Sequence, residues 1–308
     1  MKPPSPNPEP TLRRARPLLG TLVEIQAGGL TSADRLERAV EKAFAAIARV
    51  QAALSFHDPA SDLSRLNRLA ARRAVRVDSS TWSVLRHAVA LARASEGRFD
   101  PSIAPLLQHW GLLPGKATRS PAHAKPHAGW RAILLLPGRR VRFLTPLTLD
   151  LGGIAKGYAV DRAVAALRRA GVPRGLVNAG GDLRVFGADP APVHVRHPTQ
   201  PGAFFSLGEL SDGALATSAL TWSGKKTSRG RATGALVDPR TNTACGQGVS
   251  ITVLARTAWL ADALTKVVAI DPSTAGPLLS RYQARAVVLD THGRAVWLNA
   301  HVPLLHVA

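Results

Sequence analysis

Asp150-Leu151-Gly152-Gly153-Ile154-Ala155-Lys156-Gly157-Tyr158-Ala159-Val160-Asp161 is the stretch on which the reading of this chain turns. The preceding residues, Leu147 to Leu151, predict a strand that ends on a carboxylate and turns through two glycines. The apolar spacing that follows predicts a helix to about Ala170, stopped by Gly171. Glycines at such a turn let backbone approach a ligand, and a helix start favours an anion. Lys156 adds a positive charge beside it. The segment is neither a Walker loop, whose spacing is absent, nor a Rossmann fingerprint. Read by itself, it is as well explained by a tight strand–helix turn as by an anion site.

Outward from this block the chain reads as hairpins interleaved with a few helices. Thr21–Ile25 alternates as a strand, and residues 32–54 carry apolar Leu36, Val40, Phe44, Ile47 and Leu54 at helical spacing. A loop is expected over 55–67 and a helix over 80–95. Hairpin strands follow at 133–136 and 141–144, around Pro137-Gly138. Short strands at 176–178, 183–186, 193–196 and 204–210 precede a strong strand at 249–255, a helix at 257–270 and a closing hairpin at 285–289 and 295–298. Strands outnumber helices without strict β-α-β alternation. The fold expected is therefore α+β, with mixed, largely antiparallel sheets and flanking helices. Residues 17–308 are expected to form one domain with a possible seam near 115–129, preceded by a disordered Pro-rich tail over residues 1–16.

Composition narrows the function. The chain of 308 residues carries 40 Lys+Arg against 20 Asp+Glu, a net charge of +20. Only eight of the forty are lysine, and the excess is spread along the chain. Without a lysine-rich tail, an aromatic ladder or zinc-finger spacing, the expectation is no nucleic-acid partner. An anionic small molecule is an equally good destination for such charge. One cysteine, Cys245, excludes an intrachain disulfide and cysteine-held metal centres. No apolar run approaches the roughly 20 residues of a membrane span. The first sixteen residues have no apolar signal region, so the expected location is the cytoplasm.

Three further segments carry candidate chemistry. Asn178-Ala179-Gly180-Gly181-Asp182 places an amide and a carboxylate on a glycine turn, which alone is first of all a turn. Val237-Asp238-Pro239-Arg240-Thr241 is a turn whose interest depends on its neighbours. On the helix Trp259-Leu260-Ala261-Asp262-Ala263-Leu264-Thr265-Lys266, Asp262 and Lys266 stand four residues apart. A surface ion pair is the plain explanation. The apolar surroundings instead suggest a half-buried Asp262 in need of a partner, a hard cation being one option.

Taken in order, these segments resemble the ApbE family, the FAD:protein FMN transferases. The likeness runs from Leu19-Gly20-Thr21 through Ser55-Phe56-His57, Asp62 to Asn67, Gly97-Arg98-Phe99-Asp100-Pro101, Asp150 to Asp161, Asn178 to Asp182, Ala216-Thr217-Ser218 and Asp238 to Thr241, and ends at Ala261-Asp262-Ala263. The resemblance implies FAD as substrate and Mg²⁺ as cofactor. The FMN half of FAD would pass to a Thr or Ser hydroxyl of a target flavoprotein through a phosphodiester bond, with release of AMP. By matching position, Leu19, His57, Phe99, Asp100, Asp150, Lys156 and Val237 would contact FAD. Gly153 would offer a carbonyl and Asp262 a carboxylate to the metal.

Three positions and one general feature depart from the family pattern. Ala235 stands where the family has a histidine three residues before the Asp-Pro. Lys266 stands where it has a metal-side threonine, leaving Thr265, one place earlier, as the remaining hydroxyl candidate. His57 fills the slot of a flavin-stacking tyrosine, and with Asp262 it is the catalytic candidate, as substitute base. Family members are commonly exported, and this sequence shows no export signal. Ala235 and Lys266 leave open the alternatives of an FAD pyrophosphatase or an FAD-binding protein without turnover.

Overall fold

The structure is a computed structural model that describes residues 10–30, 32–109, 111–115, 129–200, 202–219, 225–226, 232–233, 236–245 and 249–300. Its centre is an eight-stranded sheet. In spatial order it runs β1 (Thr11–Leu18), β2 (Thr21–Gly28), β6 (Arg174–Ala179), β7 (Asp182–Phe186), β10 (Ala214–Ala219), β15 (Ser250–Ala255), β16 (Arg285–Leu289) and β17 (Ala295–Leu298). Every neighbouring pair is antiparallel. A small sheet joins β3 (Val75–Arg76), β5 (Arg140–Phe143) and β4 (Ile133–Leu136). Hairpins pair β8 (Ala191–Arg196) with β9 (Phe204–Leu210), β11 (Lys225–Lys226) with β12 (Ala232–Thr233), and β13 (Val237–Asp238) with β14 (Thr243–Ala244). The helices are α1 (Ala33–Leu54), α2 (Asp62–Leu69), α3 (Ser79–Ala94), α4 (Ala104–His109), α5 (Ala155–Arg169), α6 (Ala258–Ile270) and α7 (Gly276–Arg281). The architecture is α+β with largely antiparallel sheet, as the sequence pattern indicates.

The period-two alternation of the strands sorts side chains onto two faces. On β15, Ile251 and Val253 join a large core under α1, α5 and α6, while Leu254 points to the other face. There Val185, Leu215 and Leu289 pack beneath Val193, Val195, Leu207 and Leu210 of the β8–β9 hairpin. Helix α5 lies between α1 and α6. Its approach to α6 is possible because residue 157 is glycine: a Cβ there would come within 2.2 Å of the Ala258 carbonyl oxygen. Helix α6 has no side-chain cap of its own. Asp161 of α5 supplies one, accepting from the backbone N–H groups of Ala258 at 3.0 Å and Trp259 at 2.9 Å.

The structure corrects three expectations. The tail does not extend to residue 16, because Thr11–Leu18 pairs along its whole length with β2. This edge strand shows little hydrophobic alternation since it is exposed at most positions. Arg13, Arg14 and Arg16 meet Glu24, Glu37 and Glu41 instead. The loop over 55–67 contains helix α2, started by Ser61, whose hydroxyl accepts from the Ser64 N–H at 3.0 Å. Residues 147–151 form no strand and join no sheet. Asn67 takes the place of a neighbouring strand there, donating to the Leu149 carbonyl at 3.0 Å and accepting from its N–H at 2.8 Å. Most of the suspected seam at 115–129, and Ala235, lie outside the described residues.

Candidate active site

Three pieces of chain converge around the Gly152-Gly153 turn. Asn67 and the Pro101 carbonyl, which accepts from the Asp150 N–H at 2.8 Å, fix the strand-like segment that leads into it. The β6–β7 turn carries Gly180 at φ +64° and Gly181 at φ +102°, the left-handed backbone a two-residue hairpin turn demands. It sets Asp182 at the start of β7. Helix α6, held by its cap, contributes Asp262 and Lys266.

Two ion pairs form the centre. Lys156 of α5 pairs with Asp182, and Lys266 pairs with Asp262 Oδ1. Asp182 is 2% exposed and Asp262 fully buried, so neither carboxylate has water to solvate it. Burial pushes the Asp182 carboxyl up to about 6; repulsion from Asp262 adds to this, and Lys156 and Lys266 oppose it. Burial acts on Asp262 the same way, but Lys156, Lys266 and the Gly157 N–H outweigh it and hold the group below its ordinary value. Lys156 loses solvation too, yet attraction to Asp262 and Asp182 holds its pKa above the ordinary lysine value. The two pairs thus act as one four-charge cluster.

A chain of hydroxyls completes it. The Lys266 ammonium donates to Ser218 Oγ at 3.3 Å, and Ser218 shares a 2.8 Å hydrogen bond with Thr265 Oγ1. Thr265 donates to the Asp262 carbonyl at 2.7 Å, which also accepts from Lys266 at 3.0 Å. Gly153 lies against this lysine: an added Cβ would sit 3.5 Å from Lys266 Cε and 3.5 Å from the Phe99 ring.

Most of the residues singled out from sequence meet here. Asp150, Gly153, Lys156, Asp262, Thr265 and Phe99 surround the cluster. Burial raises the Asp150 carboxyl, opposed by the Gly152 N–H and by the charges of His57 and Lys266. His57 is exposed, edge-on to Phe56 with ring centres 6.3 Å apart. Asp100 is buried beside Phe99 and accepts from the Ser102 N–H at 2.8 Å and hydroxyl at 2.7 Å. Leu19 stands further out, in the β1–β2 turn at φ +57°, its N–H donated to Gln51. That turn borders the cluster's rim, since Thr21 packs against Gly180. Val237 packs with Leu106 and Leu107 in a separate small cluster. Sequence reasoning missed Asp182 and Ser218 as site residues, although both lie in motifs it singled out.

The donors do not fit the Mg²⁺ that the resemblance implies. Such an ion needs several free oxygen ligands in near-octahedral array. One Asp262 oxygen faces the Lys266 ammonium, and the other accepts from the Gly157 N–H at 3.2 Å. The Thr265 hydroxyl is engaged with Asp262 and Ser218. Among the described residues no three of His, Cys, Asp and Glu gather as a metal-holding group.

The sequence model of the ApbE family matches residues 19–289. The chain belongs to the ApbE family. The FAD:protein FMN transferase of Rhodobacter capsulatus is 31% identical over 94% of this chain and 57% of its own length. That of Treponema pallidum is 28% identical over 56% of this chain and 51% of its own. The chain therefore spans little more than half the length of these two relatives. The crystal structure of the ApbE protein from Thermotoga maritima is 27% identical and superposes with a TM-score of 0.81 over 94% of this chain and 97% of that one. The apo flavinyl transferase ApbE of Pseudomonas stutzeri shares the fold, at 23% identity and a TM-score of 0.80, over 97% and 98% of the two chains. Among the described residues no helix is long and apolar enough to cross a membrane.

Proposed function

We propose that this chain is an FAD:protein FMN transferase, moving the FMN half of FAD onto a Thr or Ser hydroxyl of a target flavoprotein. One observation carries the proposal: two ammonium groups, Lys156 and Lys266, are held by buried carboxylates at a glycine turn that opens α5. Such a turn brings backbone N–H groups close to an anion, and the lysines supply the charge a diphosphate needs. The matching names of its relatives support the same reading.

In the reaction proposed, the acceptor hydroxyl oxygen bonds to the flavin-side phosphorus of FAD. The bond from that phosphorus to the bridging oxygen breaks, and its electron pair leaves with AMP. The acceptor's proton goes to a base, a role we assign to the exposed His57, whose charge acts on Asp150. Lys156 and Lys266 balance charge that develops on the phosphoryl oxygens, while Asp182 and Asp262 hold those ammonium groups in place. Phe99 supplies an apolar wall beside Gly153. No step runs through magnesium, because the donor set does not suit it.

The test is incubation of the purified chain with FAD and a flavoprotein carrying an acceptor Thr or Ser. A covalent, fluorescent flavin band on the target, lost in Asp262→Ala, is the expected result. FMN and AMP released without a band would replace transfer with FAD hydrolysis, and bound flavin with no product would make the chain a flavin-holding protein.

A further inference from the structure

Resting on the transferase reading, we infer that the Lys266 ammonium is a built-in cation for the FAD diphosphate, so that FAD binding and cleavage need no added divalent metal. The ammonium is surrounded as a bound cation would be. It faces Asp262 Oδ1, the Asp262 carbonyl oxygen at 3.0 Å and Ser218 Oγ at 3.3 Å, one oxygen for each of its three protons. Ser218 gives its own proton to Thr265, whose proton goes to the Asp262 carbonyl. That relay leaves the Ser218 lone pairs turned toward Lys266. The 3.3 Å contact is the weakest of the three and the one a phosphate oxygen would replace with least loss.

Charge and space point the same way. Within the two contacting pairs, the buried carboxylates of Asp182 and Asp262 are matched by Lys156 and Lys266, so the set is neutral before any ligand arrives. A divalent ion entering beside Lys266 would meet a positive charge and compete for the single Asp262 oxygen that the ammonium already holds. With Lys266 absent, the set would carry a net negative charge and an unpaired buried carboxylate, the condition that draws in a cation. The lysine stem lies along Gly153, where an added Cβ would stand in ordinary van der Waals contact with Lys266 Cε and the Phe99 ring.

The experiment compares FAD binding, read by flavin fluorescence, and FMN transfer in EDTA and in excess Mg²⁺. The wild-type chain is expected to give values within about twofold in the two conditions, whereas Lys266→Thr in EDTA loses about tenfold or more in both and recovers with Mg²⁺. Lys266→Met, which removes the charge but adds no oxygen ligand, is expected to lose as much and to recover less, provided circular dichroism shows it folded. The wild-type comparison decides by itself if neither variant folds. A tenfold or larger gain by wild type on adding Mg²⁺ overturns the inference and leaves the transferase reading intact. No FAD binding in either condition overturns both.

Discussion

Two aspartates lie at the α5–α6 crossing, each facing a basic partner, and they are built for different work. Asp161 accepts from the Ala258 and Trp259 N–H groups, and from Arg184 at 2.5 Å. Its partners are backbone and a guanidinium fork, fixed in direction. It locks the start of α6. Asp262, one turn further along α6, accepts one backbone N–H, from Gly157 at 3.2 Å, and gives its other oxygen to an ammonium on a flexible stem. The difference separates an ion pair held by backbone from one held by a movable partner, although both carboxylates are buried. Saturation by backbone fixes geometry, whereas a partner that can turn toward a ligand leaves the site able to respond. Both also depend on Gly157, without which the helices could not meet.

The comparison breaks most visibly at Asp262. Asp262→Ala should lower FMN transfer by about 10²–10³-fold, the range for losing one electrostatic element of an active site, while leaving the circular dichroism spectrum unchanged. A variant that transfers flavin normally would place Asp262 with Asp161 as a purely structural group. Next comes Gly157→Ala, which puts a methyl group against the Ala258 carbonyl. It should cost about 1–3 kcal/mol in urea unfolding and reduce activity as well, since both aspartates lose their register. Asp161→Ala should cost about 0.5–2 kcal/mol through loss of the α6 cap, with kcat changed little. If kcat falls as far as in Asp262→Ala, the division between the two carboxylates is wrong.

What could be read from the sequence follows the same division. The glycine turn before α5, the Asn178–Asp182 turn and the Asp262 helix were all visible, because glycine pairs and apolar spacing are local signals. The pairing of Lys156 with Asp182 was not, since residues 26 positions apart meet only when α5 folds back on β6 and β7. Ser218 was hidden for the same reason: it reaches Lys266 across 48 residues. Asn67 is a subtler case. The run Leu147–Leu151 is apolar enough for a strand, but its backbone is satisfied by one amide side chain, and nothing in periodicity distinguishes that from a sheet. Strand β1 was lost because an edge strand buries almost nothing, so its arginines read as tail. The +20 charge, loud in composition, did not point to the site: the two half-buried lysines there are each paired with a buried aspartate and add nothing to the excess.

Burial raises the carboxyls of both Asp161 and Asp182, but only Asp182 holds a lysine of the proposed site, so the pH response of activity should separate them. Asp182 titrates near 6 when folded, above its ordinary value. Its contribution to stability is therefore fully present below the unfolded pKa and lost as pH rises through about 6, the reverse of a carboxylate whose pKa is depressed by its salt bridge. For the chemistry the sign is opposite. Protonating Asp182 below pH 6 removes the negative charge that holds Lys156, so kcat/KM should fall on the acid side with a midpoint near 6. Asp182→Asn should flatten that limb. The limb should persist in Asp161→Asn, whose carboxylate is tied to backbone and Arg184 rather than to Lys156 or Lys266. An acid limb unchanged in Asp182→Asn would assign it to another group, and the neutral cluster would then serve packing alone.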